Sequence, residues 1–185
     1  MSIQAQPTME GAGVKLHRAF GFGDPEMADP FLLLDDFRND RPQDYMRGFP
    51  WHPHRGIETI TYILSGSVEH ADSLGNKGSL QAGDVQWMTA GSGILHQEMP
   101  EGDAKGKMHG FQLWANLPRK LKMTDPRYQD VEASEIPLLQ EDDGTEVKII
   151  CGELWDRKGP VDGIAAEPRY LDVFALKRKP MAKSC

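Results

Sequence analysis

The chain has 185 residues, of which 39% are hydrophobic and 26% charged, and its formal net charge at pH 7 is −7. This composition is ordinary for a globular protein, and the negative charge argues against a surface that binds duplex DNA or anionic membranes. No apolar run reaches the ~20 residues of a membrane span, and the first residues lack a signal-peptide pattern. Two cysteines, Cys151 and Cys185, make no disulfide framework. The sequence therefore predicts a cytoplasmic protein without direct nucleic-acid or membrane partners.

The predicted elements are short strands separated by turns that contain glycine. Alternation of apolar and polar residues, or short runs of β-branched and aromatic residues, marks each strand. The predicted strands cover residues 14–20, 31–37, 58–64, 67–71, 85–89, 94–99, 111–116, 145–152 and 169–176. We expect residues 1–13 to be loose and 125–140 to be mostly irregular. No long amphipathic helix is predicted, so the fold class is all-β.

Two short stretches each carry two side chains that can bind a metal. His52 and His54 form one pair, and His96 and Glu98 form the other. Residues at i and i+2 of a strand point to the same face, so the members of each pair should converge. Three imidazoles and one carboxylate, without a thiolate, suit a divalent transition metal with positions left for other ligands. Glu58 shares strand parity with His54, so spacing alone leaves it open as the carboxylate ligand.

Other residues that could carry chemistry are expected to be structural. We predict that the histidines His17, His70 and His109 are structural or solvated. The tryptophans Trp51, Trp87 and Trp114 are expected in the core. Cys151 is expected to be an inert buried thiol. The basic run 177–179 is expected to be a solvated end of the chain.

Several segments of the sequence resemble the motifs of one family. They are His-Pro-His-Arg-Gly-Ile-Glu-Thr (52–59) and Gln-Trp-Met-Thr-Ala-Gly-Ser-Gly-Ile-Leu-His-Gln-Glu-Met-Pro (86–100), with Asp-Pro-Phe-Leu-Leu-Leu-Asp (29–35) upstream and Phe-Gln-Leu-Trp-Ala-Asn-Leu-Pro (111–118) downstream. These phrases are similar to those of the pirin family, which belongs to the cupin superfamily. The resemblance runs from about residue 14 to residue 176.

The resemblance implies a cupin β-barrel or jelly roll with non-haem Fe(II), although Mn, Ni, Cu or Zn would suit the same donors. It also implies that Glu98, rather than Glu58, joins His52, His54 and His96 as ligand. For bacterial members it implies opening of the flavonol ring of quercetin with dioxygen, with Glu98 taking the proton of the flavonol hydroxyl. The alternative is a non-enzymatic, iron-dependent regulator that binds a transcription factor or a metabolic enzyme.

Family members of this kind carry two cupin domains, and the resemblance implies the same order here. We predict a metal-binding cupin over residues 1–134 and the opening strands of a truncated second cupin over residues 135–185. Those strands cannot close a barrel by themselves. Their apolar faces are therefore expected to pack back on the first cupin or to pair with a second copy, giving a homodimer.

Overall fold

The computed structural model describes residues 4–23 and 26–175. This part of the chain consists of strands, turns and three short 3-10 helices, at Pro42–Asp44, Arg119–Leu121 and Ala133–Glu135. It contains no α-helix, and none of its helical turns has the length needed to cross a bilayer. The predicted all-β class is confirmed.

The strands of the described residues are numbered here in chain order. They are β1 (Gln6–Glu10), β2 (Val14–Phe20), β3 (Phe31–Asp36), β4 (Phe49–His54), β5 (Ile57–Ser65), β6 (Ser67–Asp72), β7 (Lys77–Leu80), β8 (Val85–Thr89), β9 (Ile94–Glu101), β10 (His109–Asn116), β11 (Arg127–Val131), β12 (Leu138–Gln140), β13 (Glu146–Cys151), β14 (Glu153–Leu154), β15 (Arg157–Lys158) and β16 (Tyr170–Phe174).

The first of two compact units spans Met1–Ala133 and is built from two antiparallel sheets. The larger sheet has the strand order β1-β2-β3-β10-β5-β8-β11, and the smaller one has the order β4-β9-β6-β7. Hydrogen bonds between side chains of the two sheets, such as Thr61 with Glu98 and His70 with Gln86, show that the sheets face each other. Alternate residues of each strand therefore point into a shared interior.

One part of that interior is a close-packed apolar cluster contributed by both sheets and by the loops between them. Its members are all at most 7% exposed: Val14, Leu16, Phe37, Tyr45, Ile63, Val68, Leu80 and Met108. Close packing of this kind restrains the strands that carry functional side chains. Most members of the cluster also line a cavity in the interior, and the polar side chains of the interior lie at other positions of the strands.

Strands β1 and β11 of the first unit were not predicted from the sequence, and neither was β7. The expectation that residues 1–13 are loose is wrong over β1, which pairs with β2 from Gln6 opposite Arg18 to Glu10 opposite Val14. The hairpin between them uses glycines with positive φ, Gly11 and Gly13, a conformation that other residues rarely adopt. The second, β11, lies in the stretch expected to be irregular and pairs with β8.

The second compact unit spans Ser134–Cys185, of which residues 134–175 are described. It contains a three-stranded sheet with the order β12-β13-β16 and the short hairpin β14-β15. Strand β13 is largely buried, whereas Val173 and Phe174 at the end of β16 are 55% and 61% exposed. The predicted strand at 169–176 is observed as Tyr170–Phe174, and residue 176 lies outside the described part. That this unit opens a second cupin stays a prediction.

Candidate metal centre

Two neighbouring strands of the smaller sheet bring the three predicted histidines together. His52 and His54 lie on β4, His96 lies on β9, and His52 stands directly opposite His96 in the antiparallel register. One ring nitrogen from each histidine lies within 4.8 Å of those of the other two. Residues two apart on β4 thus point the same way, as expected for a strand, and the register supplies the third imidazole.

The environment of the cluster favours neutral imidazoles. Burial, together with the neighbouring rings of His96 and His52, lowers the pKa of His54 to about 3. Burial also lowers the pKa of His96, although the nearby Glu98 carboxylate opposes this shift. Neutral imidazole is the form of histidine that binds metals.

The ring nitrogens of the cluster are available for coordination. Both ring nitrogens of His96 are buried without a hydrogen-bond partner, and His96 itself is 1% exposed. His52 Nδ1 lies 2.9 Å from the carbonyl oxygen of Pro50. Donation of an Nδ1 proton to that carbonyl would fix the tautomer and leave Nε2 unprotonated, as is common for metal-binding histidines. A buried, unsatisfied imidazole is unfavourable without a partner, so these residues fit a metal ion.

Glu98 lies beside the histidines but outside the group of three. Its Oε2 is 4.0 Å from His96 Nε2, and its Oε1 is 3.0 Å from the hydroxyl of Thr61. The residue is 7% exposed. A buried carboxylate is costly unless it is paired with a positive charge or coordinates a metal.

The cations near Glu98 are already occupied. Among the described residues that line the adjacent cavity, Arg18 is the only lysine or arginine. Its Nε and Nη2 donate to the two carboxylate oxygens of Asp35 at 2.8 and 2.7 Å, and Nη2 is also 2.9 Å from Glu10. Two carboxylates therefore neutralise the guanidinium. Within the described lining of the cavity, no Lys or Arg remains to pair with Glu98, so a metal cation is a suitable partner for its carboxylate.

Glu58, the other glutamate that spacing left open, is directed elsewhere. Between the end of β4 and the start of β5 the chain passes through Gly56 with φ +70° and enters the other sheet. Glu58 is three residues before Thr61 on β5, so the two side chains point to opposite faces. Thr89 Oγ1 donates to Glu58 Oε1 at 2.8 Å. The turn at Gly56 thus ends the strand parity that Glu58 shares with His54 in the sequence.

A cavity of about 620 Å³ opens beside the cluster, within the range that accepts a small organic ligand. His52, His54 and Glu98 are part of its wall. Trp114 also lines it and stands edge-on to His54, with 5.0 Å between the ring centroids. The cavity therefore joins the candidate metal ligands to an aromatic wall.

The tryptophans differ from one another in their placement. Trp87 is 1% exposed, so its core assignment is confirmed. Trp51 is 54% exposed and lines the cavity, so its assignment to the core is wrong. Strand β4 is at the edge of its sheet, and its register with β9 shifts between Phe49 and His52, the stretch that contains Trp51. Phe22, which is 63% exposed, also lines the cavity.

Sequence reasoning missed the polar side chains that surround Glu98 and the histidines. Thr61 bridges Glu98 and Gln112, and Gln86 Nε2 lies 3.0 Å from His70 Nε2 and donates to Asp130 at 2.9 Å. His70 is thus a buried, hydrogen-bonded histidine, and its structural assignment is confirmed. The sequence signal that could have identified them is the presence of polar residues at inward-facing positions of otherwise apolar strands.

Comparison with known proteins assigns the chain to a family. A family profile described as Pirin matches residues 13–115. A pirin-like protein of Caulobacter vibrioides is 50% identical over 172 residues, covering 92% of this chain and 62% of that protein. The chain spans about 47–62% of the length of curated relatives that it matches.

Solved structures agree with this placement. A quercetin 2,3-dioxygenase from Acinetobacter baumannii superimposes with a TM-score of 0.76 at 36% identity, covering 86% of this chain and 58% of that one. A bacterial pirin from Escherichia coli, solved in complex with nickel(II), gives a TM-score of 0.55 at 26% identity, covering 80% and 69%. With the profile match over more than half its length, the chain belongs to the pirin family of the cupin superfamily.

Proposed function

We propose that the chain binds one divalent metal, Fe(II) in the cell, through His52, His54, His96 and Glu98, and that it opens flavonols of the quercetin type with dioxygen. The observation that carries the proposal is the three-histidine cluster, in which one ring nitrogen from each residue lies within 4.8 Å of the others and His52 and His54 line a cavity of about 620 Å³. The name of the A. baumannii structure, quercetin 2,3-dioxygenase, supports the choice of reaction.

The donor set suits this assignment. Three imidazoles and one carboxylate without thiolates resemble the ligands of non-haem iron oxygenases more than those of a closed structural zinc site. The nickel-bound pirin shows that a relative accepts a divalent metal. A metal held here would act as a Lewis acid toward the substrate and exchange electrons with dioxygen.

The residues of the chain would bind the substrate and move its proton. Trp114 and Leu33 supply apolar wall for the flat rings of a flavonol. Glu98 lines the same cavity, so its carboxylate is placed to accept the proton of the flavonol hydroxyl. General-base catalysis of this kind contributes about 10²–10⁴-fold in rate.

The test is oxygen consumption and loss of flavonol absorbance when quercetin is added to the iron-loaded chain. We expect Glu98→Gln to lower turnover by about 10²–10⁴-fold because the amide cannot accept the proton. Metal analysis of the same samples should show that the variant retains part of its iron. Glu58→Gln is the matched control, since Glu58 is equally buried but faces away from the cavity, and it should stay active.

Other outcomes would contradict parts of the proposal. His54→Ala should lose stoichiometric metal binding while its β signal in circular dichroism is kept, and full metal occupancy would refute the ligand assignment. Wild-type turnover by Glu98→Gln would exclude Glu98 as the base. An iron-replete wild type that consumes no oxygen with quercetin would refute the proposed reaction but not the metal site.

A further inference from the structure

The geometry points to Thr61 as a positioning residue that holds one carboxylate oxygen of Glu98 and leaves the other for the metal. This inference rests on the metal site of the proposed function. Thr61 Oγ1 lies 3.0 Å from Glu98 Oε1, whereas Oε2 is the oxygen that lies 4.0 Å from His96 Nε2. The two oxygens of one carboxylate thus have different neighbours, and the threonine determines which of them faces the histidines.

Thr61 reaches Glu98 from the opposite sheet. It lies on β5 of the seven-stranded sheet, 37 positions before Glu98 in the sequence, and it is 3% exposed. Strand β5 continues in unbroken register with β8 around this position. The hydroxyl is therefore held by a rigid part of the fold, as a group that orients a metal ligand needs to be.

Gln112 is a second hydrogen-bond partner of Thr61. Its Oε1 lies 2.8 Å from Thr61 Oγ1, on β10 directly opposite Thr61, and the residue also lines the cavity. A hydroxyl has a single proton, so Thr61 donates to one acceptor at a time, and Glu98 and Gln112 compete for that proton. An ionised carboxylate is a stronger acceptor than an amide oxygen, which favours donation from Thr61 to Glu98.

The simpler explanation is that Thr61 is a β-branched residue chosen for its strand. Valine satisfies that requirement equally well and has nearly the same shape, but it lacks the hydroxyl. Serine keeps the hydroxyl and lacks the methyl group. The pair Thr61→Val and Thr61→Ser therefore separates the positioning role from the structural one.

The experiment measures cobalt(II) binding to the full chain by chelator competition, together with the visible absorption spectrum of the bound cobalt. We expect Thr61→Val to weaken cobalt binding by about 10–100-fold, the usual effect of losing a partner of a metal ligand. Its spectrum should shift toward that of Glu98→Gln. Thr61→Ser should restore affinity and spectrum, and Thr59→Val, a buried threonine on the same face of β5, should match the wild type.

Each alternative result has a definite meaning. Wild-type affinity and spectrum in Thr61→Val would overturn the inference and leave the proposed metal site intact. Failure of the wild type itself to bind cobalt would overturn both. Gln112→Leu tests the same contact without altering β5, so it remains informative if Thr61→Val does not fold. Because it removes the competing acceptor, it should bind cobalt at least as tightly as the wild type, and weaker binding with a shifted spectrum would contradict donation from Thr61 to Glu98.

Discussion

At the scale of single residues, Glu58 and Glu98 differ in direction rather than in chemistry. Both are buried, and each has a threonine hydroxyl within 3.0 Å of Oε1, from Thr89 and Thr61 respectively. The strand that carries each one decides what the carboxylate faces. Glu98 shares β9 with His96, whereas Glu58 begins β5 on the face away from Thr61.

Asp103 gives a prediction for the dependence of stability on pH. Its Oδ1 accepts backbone hydrogen bonds from Lys107 and Lys105 at 3.0 and 2.8 Å, and its Oδ2 accepts one from the Ser65 hydroxyl at 3.0 Å. The backbone bonds, that from Lys107 first, hold the pKa of Asp103 below its usual value. The charged form therefore stabilises the fold at pH values above the unfolded pKa of about 3.9. This contribution is lost as the pH falls through the lower, folded pKa.

We expect Asp103→Asn to lower the urea midpoint at pH 6, and the difference from wild type to shrink as the pH falls below about 4. Comparing the two proteins at each pH cancels the titration of groups that they share. A difference that stays constant down to the acid transition would show that the charge of Asp103 does not contribute.

At the scale of elements, β11 shows how a strand without alternating apolar residues escapes prediction from the sequence. Asp130 is exposed and accepts a hydrogen bond from Gln86 of β8 at 2.9 Å. Tyr128 and Val131 are the apolar residues of Arg127–Val131, and their spacing does not alternate. The strand is defined instead by its pairing with β8, five residues in unbroken register. The spacing of hydrophobic residues cannot reveal a strand whose formation depends on pairing with a neighbouring strand.

The hairpin β6-β7 yields a prediction about the same interior. A Cβ built on Gly78 would lie 2.6 Å from Nε2 of His70, the ring nitrogen that contacts Gln86. Gly78→Ala should therefore displace the His70 ring and destabilise the protein by about 1–3 kcal/mol, as overpacking usually does. Urea denaturation measures the change in the free energy of unfolding.

A double-mutant cycle separates the clash from other effects of the substitution. In a His70→Ala background the space is free, so Gly78→Ala should cost little there. An equal cost in both backgrounds would mean that the effect comes from the backbone of β7 and not from the His70 ring.

At the scale of the whole molecule, the sequence predicts local features better than contacts between distant strands. The all-β class and the convergence of His52 with His54 follow from a two-residue period, which needs no knowledge of the fold. The bridge from Thr61 to Glu98 joins residues 37 positions apart on different sheets, and nothing in either strand indicates the other. The exposure of Trp51 depends likewise on the order of strands in its sheet. The predicted homodimer and the predicted second cupin stay predictions.

Strand β4 carries two of the three histidines and is the edge strand of its sheet, paired with β9 alone among the described strands. Its Pro50 and Pro53 lack an N–H, as suits an edge. An edge strand opens locally more readily than a central one, and a ligand that joins it to its neighbour suppresses that opening.

The rate of hydrogen exchange at the amides of β4 should therefore report the metal occupancy of the site. With cobalt at about 100 times its Kd, their exchange with deuterium, followed by mass spectrometry, should slow by about 100-fold, while exchange in β8 changes far less. Equal exchange of β4 with and without cobalt would mean that the strand is held without the metal.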